Sequence, residues 1–239
     1  MGILLGAVWM LGCMAGVVQQ ALRPGPLPVV DEPYTADRVI TSYQKLADGT
    51  TIEHHRTISS ARDTQGRTWE RSEAPGDPLQ PAKVKQYRTT VYDPNARTST
   101  NWCTCSKFAT LIHFAEPLPA RPEHQTGVEG MDVYLGPSGG QRLKYHGEEL
   151  PPQVIQGMTA RGSKVVRTLP VGADGNDHEL TTTILSWYSP ELRLALTTII
   201  DDPVKGLTKL EFTNLKRTEP DPALFRTPDG YMVREPGAQ

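Results

Sequence analysis

Two cysteines one residue apart, Cys103 and Cys105, have the most evident capacity for chemistry in this sequence. In an extended chain both thiols point to one face of a strand, where they could hold a soft metal such as copper(I), with His54 and His55 completing the site. An oxidising compartment instead favours a disulfide, within or between chains, because loss of Cys13 with a leader leaves two cysteines. Inert thiols are the third interpretation.

A hydrolase nucleophile is the second chemistry that the sequence suggests. Ser138 lies in Gly-Pro-Ser-Gly-Gly at residues 136–140, which matches the pattern G-x-S-x-G in letters. In hydrolases that pattern places the serine on a tight turn between a strand and a helix. Here proline and glycine flank the serine, and the following residues show no helical stripe. We therefore interpret this segment as a flexible loop tip.

Metal and cofactor sites are not indicated elsewhere. The oxygen-rich residues 174–179 resemble a calcium loop but lack the glycine at the sixth position and the distal glutamate, so they are interpreted as a polar hairpin tip. The six histidines show no metal-binding spacing. Trp187 and Tyr188 are candidate ligand-facing aromatics, although aromatic residues at a strand end also close protein cores. The sequence thus assigns no catalytic residue, no cofactor and no metal ligand.

Composition limits the classes of partner. Of 239 residues, 25 are Lys or Arg and 27 are Asp or Glu, so the chain has no cationic excess with which to neutralise nucleic acid. The hydrophobic share is 37% without a high net charge, which indicates a folded chain with long polar loops. After a leader is set aside, the length suits one domain.

An apolar leader begins the chain. Residues 3–18 carry no charge, which is typical of a signal peptide or a membrane anchor, and we assign residues 1–22 to it. Within it, Met-Leu-Gly-Cys at 10–13 resembles a bacterial lipobox, which makes Cys13 a lipidation candidate. No basic residue precedes Arg23, so secretion, lipidation and a retained anchor all stay open. The proline-rich residues 23–33 are predicted to form an extended tether to an exported, periplasmic or extracellular domain.

Strands and turns alternate through the β domain predicted for residues 34–239. Turn dipeptides between Thr- and Ile-bearing runs are typical of hairpins. Leu192, Leu194, Leu196, Thr198 and Ile200 recur at every second position, which predicts one buried face. The predicted strands are 38–46, 51–60, 67–72, 83–92, 98–106, 154–169, 179–187, 192–200 and 207–215, with turns at 48–49, 64–66 and 93–95.

The predicted fold is mainly β, a single curved antiparallel sheet that is open and half-barrel-like. Few short helices are expected, at residues 106–114 and in a turn at 221–225. Residues 116–152, which prolines and glycines interrupt, are predicted to form an irregular excursion or flap, in which only residues 131–135 and 141–145 could be short strands. Polar residues on both faces of strands 51–62 and 83–92 favour a sheet with one wetter face over a closed sandwich.

Several stretches carry a resemblance to a known group. They are Tyr-Thr-Ala-Asp at 34–37, Leu-Ala-Asp-Gly at 46–49, Asp-Thr-Gln-Gly-Arg-Thr at 63–68, Trp-Tyr-Ser-Pro-Glu-Leu at 187–192, and Glu-Pro-Asp-Pro-Ala-Leu-Phe at 219–225 with Pro228 and Tyr231. Together they resemble uncharacterised secreted proteins common in acidobacteria. That group is distantly similar to the LolA/RseB-like periplasmic lipoprotein carriers, which implies a half-barrel sheet that holds lipid or peptide and supplies no catalytic residue.

Three functions follow as hypotheses. The first is a non-enzymatic envelope module that binds an apolar or extended ligand, such as a lipid, a lipoprotein segment or a peptide. The second is a structural or interaction domain, tethered at the membrane by the leader, that pairs with an envelope protein through a strand edge. The third is a hydrolase whose site is split across loops.

Overall fold

A computed structural model describes residues 23–74, 84–117, 133–134 and 142–235. The predicted leader with Cys13, the Ser138 motif and most of the predicted excursion lie outside these residues. The described residues form thirteen strands: β1 Tyr34–Lys45, β2 Thr51–Arg62, β3 Thr68–Glu73, β4 Tyr87–Asp93, β5 Thr98–Cys103, β6 Phe108–His113, β7 Val133–Tyr134, β8 Arg142–Ile155, β9 Met158–Leu169, β10 Leu180–Ser189, β11 Leu194–Asp202, β12 Gly206–Lys216 and β13 Met232–Arg234.

All thirteen strands form one sheet in the order β13-β6-β5-β4-β3-β2-β1-β12-β11-β10-β9-β8-β7. The chain runs outward from the centre through β1 to β6, and returns from the opposite edge through β7 to β12. The pairing of β1 with β12 joins the two meanders. Every pairing is antiparallel except that of β13 with β6. The predicted open, mostly antiparallel sheet is therefore confirmed.

Glycines with positive φ lie in two of the predicted hairpin turns. Gly49 and Gly66 have φ of 88° and 81°, as their predicted turns require, because glycine adopts the left-handed region without a Cβ clash. A further turn was not predicted, because residues 154–169 read as one strand. Gln156 and Gly157, with φ of 51° and 76°, divide this stretch into β8 and β9. Strands β7 and β8 begin inside the two stretches of the predicted excursion, 131–135 and 141–145, that the sequence allowed as short strands, but β8 continues to Ile155.

The helix predicted at residues 106–114 is wrong, because Phe108–His113 is strand β6. Phenylalanine, threonine and isoleucine at alternate positions favour a pleated conformation, and β5 offers a pairing edge directly after the turn. The predicted helical turn near residue 221 is present as a 3-10 helix over Pro222–Phe225, which Asp221 caps by accepting from the Ala223 N–H at 2.8 Å. No helix among the described residues has the length and apolar character needed to cross a membrane.

The predicted apolar face of residues 192–200 is only partly present. Leu192 and Leu196 are buried, whereas Leu194, Thr198 and Ile200 are half-buried. The register of β10 with β11 shifts by one residue, since Trp187 and Tyr188 pair with Thr197 and Ala195. Leu196 therefore lies in a β-bulge, which interrupts the alternation on which the prediction rested. 

Two apolar clusters stabilise the sheet. The larger one belongs to the central strand β1 and the carboxyl-terminal meander, and contains Tyr34, Ala36, Met158, Ala160, Trp187, Leu192, Leu196 and Phe212. We call this cluster together with Arg62 the closed end. The Arg62 side chain donates hydrogen bonds there to the carbonyls of Glu32 and Leu192. The smaller cluster lies under the 3-10 helix and contains Ala61, Val91, Trp102, Ala109 and Phe225.

The proline-rich residues 23–33 are extended and bonded to the domain. The Gly25 N–H donates to the Ala115 carbonyl at 3.2 Å, and the Ala115 N–H donates to the Arg23 carbonyl at 2.9 Å. The Tyr92 hydroxyl donates to the Pro26 carbonyl, and the Asp31 N–H donates to the Thr64 carbonyl, both at 3.0 Å. This segment thus forms part of the folded unit.

Candidate binding groove

One face of the central strands brings together polar side chains that are distant in sequence. Asp37 of β1 lies opposite Ser59 of β2 and Thr213 of β12, and Ser59 lies opposite Arg71 of β3. Residues directly opposite in an antiparallel pair project to the same face. Trp69, two residues before Arg71, projects to this face as well. The register alone therefore gathers side chains from four neighbouring strands.

Two adjoining cavities, of about 750 and 890 Å³, lie on this face. They share Ser59 and Trp69 and therefore adjoin at these two residues, and we call the two cavities together the groove. The first cavity is lined by Thr35, Ala36, Asp37, Ser59, Ser60, Ala61, Trp69, Gln156, Thr213, Asn214, Leu215, Lys216 and Leu224. The second is lined by His55, Arg56, Thr57, Ser59, Trp69, Arg71, Glu73, Lys85 and Tyr87.

Hydrogen bonds preorganise the first cavity. The Ser59 hydroxyl donates to Asp37 Oδ1 at 2.8 Å, and the Asn214 amide donates to Asp37 Oδ2 at 2.9 Å. Asn214 has φ of 51° at the point where the register between β1 and β12 shifts, a conformation that asparagine tolerates better than most residues. The carboxylate is therefore held in place by two neutral donors.

The second cavity carries charge that is unevenly neutralised. Lys85 Nζ lies 2.9 Å from Glu73 Oε2, and this hydrogen bond raises the pKa of the Lys85 ammonium above its ordinary value. The Arg71 guanidinium lies over the Tyr87 ring, 4.2 Å from its centroid. Among the described residues no carboxylate lies within 4.0 Å of Arg71. Arg71 is thus an exposed cation with an aromatic support.

The side chains of Glu53, His55 and Thr41 form a row of polar contacts near the groove, from a carboxylate through an imidazole to a hydroxyl. Glu53 Oε1 is 2.8 Å from His55 Nε2, and His55 Nδ1 is 3.1 Å from Thr41 Oγ1. Nucleophilic catalysis uses this order of groups, together with backbone donors for the oxyanion. Thr41 lies in mid-strand, paired to His55 on one side and to Lys209 on the other. The backbone groups of Thr41 therefore take part in sheet pairing and are not available as donors to an oxyanion. The arrangement does not resemble a preformed hydrolase site.

The two cysteines meet in the turn after β5. Their sulfur atoms lie at bonding distance, and their Cα atoms are 5.1 Å apart. His54 and His55 are in β2, three strands away in the sheet order. The described residues contain no group of three or more side chains able to hold a metal ion. Of the alternatives drawn from the sequence, the described geometry corresponds to the disulfide within one chain.

The aromatic pair predicted to face a ligand is divided by its strand. Trp187 is buried in the larger cluster, and its indole N–H donates to the Pro151 carbonyl at 3.3 Å. It occupies the core, as the alternative interpretation allowed. Tyr188 is 42% exposed and lies opposite Arg161. Contact of Tyr188 with a ligand stays a prediction.

Sequence reasoning missed the groove residues Asp37, Ser59, Trp69 and Arg71. A weak signal existed, because Trp69 and Arg71 are two residues apart in a strand and must share a face. Nothing in the sequence places residue 213 beside residue 37, however, because that neighbourhood depends on the pairing of the first strand with the last long one.

Comparisons with known proteins give no family model and no curated protein that matches. Solved structures similar to this chain include the MucA/MucB complex of Pseudomonas aeruginosa, at 12% identity and TM-score 0.39, covering 84% of this chain and 58% of that one. A β-barrel-like protein of the domain of unknown function DUF1849 from Brucella abortus has 9% identity and TM-score 0.39, covering 83% and 100%. An outer membrane lipoprotein-sorting protein domain from Vibrio parahaemolyticus has 10% identity and TM-score 0.29, covering 81% and 88%.

A lipoprotein-sorting domain is thus among the solved structures that are similar to this chain. The chain spans somewhat more than half the length of the MucB structures that it matches. At these identities the likeness concerns the fold. The grouping with acidobacterial proteins stays a prediction.

Proposed function

We propose that this domain is a non-enzymatic binding module whose groove takes an extended peptide segment of a partner protein. The observation that carries the proposal is the pair of adjoining cavities on one sheet face, joined at Ser59 and Trp69. A depression that crosses several strands suits an elongated ligand better than a compact one. The half-buried Trp69 at the junction offers an aromatic surface to it.

The polarity of the lining favours a peptide over an acyl chain. Asp37, Arg71, Glu73 and Lys85 would lose water if hydrocarbon covered them, and burying charged groups without new partners is costly. A peptide backbone has an N–H and a C=O at nearly every residue, so it can replace the lost water. The groove therefore matches a chain that carries its own hydrogen-bonding groups.

The location of the partner follows from the leader. The uncharged apolar run at residues 3–18 supports export to the periplasm or the extracellular space, with or without a membrane anchor. The close approach of the sulfurs of Cys103 and Cys105 is in keeping with an oxidising compartment. We therefore expect the peptide to belong to another envelope protein.

Obstruction of the groove tests the proposal. Thr57 lines the second cavity and Thr159 lies on β9 outside the groove, and both are exposed strand threonines. We expect Thr57→Trp to weaken binding of fluorescein-labelled nonapeptides of alternating serine and valine by tenfold or more, as measured by anisotropy. Thr159→Trp is the matched control and should bind like wild type. Equal binding by both variants would refute the peptide groove.

An apolar ligand is the second candidate, and the opposite sheet face favours it. Ile184 pairs with Ile200 on one side and with Val165 on the other, and all three side chains are half-buried in a cross-strand row. Cis-parinaric acid, a fluorescent fatty acid, serves as the probe. Saturable binding that Ile184→Asp abolishes and Thr57→Trp leaves unchanged would favour the lipid reading over the peptide one.

A further inference from the structure

We infer that the peptide bound in the groove is acidic, and that one of its carboxylates pairs with Arg71. This inference rests on the proposed peptide-binding function and specifies the ligand class of the same site. The starting observation is the state of Arg71, an exposed cation supported by the Tyr87 ring and without a carboxylate partner among the described residues. Such a guanidinium keeps its donors available for a carboxylate.

The neighbouring charges direct an acidic group to Arg71 instead of to Lys85. Glu73 already neutralises Lys85 at 2.9 Å, so that ammonium gains less from a second carboxylate. Across the sheet, Arg71 lies between Ser59 and Thr89, which are neutral. Arg56, which also lines this cavity, directs its guanidinium to the Ser72 hydroxyl at 3.1 Å. Arg71 is thus the cation of this cavity with neither an acidic nor a hydroxyl partner among the described residues.

The groove also differs in charge from the whole chain. The formal net charge of the protein is −2, yet the groove lining contains four cations, Arg56, Arg71, Lys85 and Lys216, against two carboxylates, Asp37 and Glu73. Asp37 is held by Ser59 and Asn214 in the first cavity. A ligand that crosses Trp69 from the first cavity into the second therefore passes from a fixed carboxylate to a cation that has no carboxylate partner among the described residues. This polarity would orient an acidic peptide along the groove.

The experiment compares nonapeptides that differ only at their central residue. Serine–valine peptides with central Glu, Gln or Lys, each amidated at the carboxyl terminus, are titrated by anisotropy into wild-type protein. We expect the Glu peptide to bind about threefold to tenfold more tightly than the Gln peptide, and the difference to shrink at high salt. A Gln peptide with a free carboxyl terminus separates a terminal carboxylate from a side-chain carboxylate.

Two arginine variants locate the effect. In Arg71→Gln the preference for the Glu peptide over the Gln peptide should disappear, so that the two peptides bind this variant with equal affinity. Arg161→Gln, an exposed strand arginine on β9 outside the groove, should keep the full preference.

The outcomes separate the two proposals. Equal binding of all peptides, still sensitive to Thr57→Trp, overturns the acidic preference and leaves the peptide groove standing. Absence of peptide binding overturns both. If phosphatidylglycerol vesicles bind in an Arg71-dependent manner and the peptides do not, the ligand is an anionic lipid surface and the inference is wrong.

Discussion

Two arginines on neighbouring strands show how differently this sheet uses the same side chain. Arg62 in β2 lies at the closed end, is 3% exposed, and donates to the carbonyls of Glu32, at 2.9 Å, and of Leu192. Its guanidinium lies 5.0 Å from the centroid of the Tyr34 ring. Arg71 in β3 is exposed, rests on Tyr87 and donates to no group among the described residues. The first arginine is used to connect parts of the fold, whereas the second is available to a ligand.

The surroundings explain the difference. At the closed end Arg62 is shielded from water, and this burial lowers its pKa. Backbone carbonyls from two separate segments accept the hydrogen bonds that water would otherwise accept. In the groove, solvent reaches the guanidinium, and the structure need not satisfy every donor. Hydrogen-bonded polar groups thus mark the part of the sheet that maintains the fold, and the exposed Arg71 lies in the part that we propose binds a ligand.

The largest expected loss of stability comes from removing the Arg62 guanidinium, which connects two segments at the closed end. Arg62→Met should lower the free energy of unfolding by about 2–4 kcal/mol, because the buried Leu192 carbonyl and the half-buried Glu32 carbonyl lose their donor. Urea denaturation monitored by circular dichroism measures it, with Arg161→Met as the exposed control. A loss below about 0.5 kcal/mol would remove the distinction between the two regions.

A smaller effect tests how tightly the closed end is packed. A Cβ at Gly162 would lie 2.8 Å from Leu150 Cβ and 2.9 Å from Trp187 Nε1. Gly162→Ala should therefore destabilise the fold by about 1–3 kcal/mol through overpacking, as thermal and urea unfolding would show. Ser163→Ala, the half-buried next position in the same strand, serves as the control and should change stability little. Unchanged stability of Gly162→Ala would show that this part of the sheet yields easily.

The groove should respond to the same kind of change much more weakly. Arg71→Gln should alter the free energy of unfolding by about 0.5 kcal/mol or less, because surface substitutions without buried partners have small effects. The measurement is the urea midpoint of this variant beside that of Arg62→Met. A loss of stability as large as that of Arg62→Met would mean that Arg71 has a structural role, and the two arginines would then not differ in function.

The smallest effect concerns pH at the rim of the groove. The pKa of Lys85 is raised mainly by its hydrogen bond to Glu73, so the pair contributes stability that is fully present below the unfolded pKa of lysine. That contribution is lost as the pH rises through the higher folded pKa. Between pH 9 and pH 12, wild type should lose slightly more stability than Lys85→Gln does. Parallel profiles of the two proteins in urea titrations would count against this pair.

Much of the fold could be predicted because local chemistry encodes it. Asp48 and Gly49 specify a tight turn between two runs of strand-forming residues, and the structure has that turn. The helix at 106–114 failed because a short segment with strand periodicity adopts the state that a neighbouring edge offers. The bulge at Leu196 could not be foreseen, because one extra residue leaves no mark on the apolar pattern.

The groove was harder to predict for a different reason. Asp37, Arg71 and Thr213 belong to three strands, and their common face exists only once β1 pairs with both β2 and β12. The pairing of β1 with β2 follows from a hairpin, but its pairing with β12 joins residues that are distant in sequence. A single sequence carries little information about such long-range registers. The expectation of one wetter face was the part of the site that periodicity could supply.

The segment at residues 23–33 has a mechanical consequence. Tension applied to whatever precedes Arg23 would first load its bonds to Ala115, next to strand β6, then the bond that Pro26 accepts from Tyr92, and then the bond that Asp31 donates to Thr64. Arg62 would feel the load last, through the Glu32 carbonyl. If the leader holds this protein at a membrane, the hydrogen-bonded residues 23–33 would transmit the pulling force directly to the sheet, unlike a flexible linker. These bonds would also limit how far the sheet can move from the bilayer.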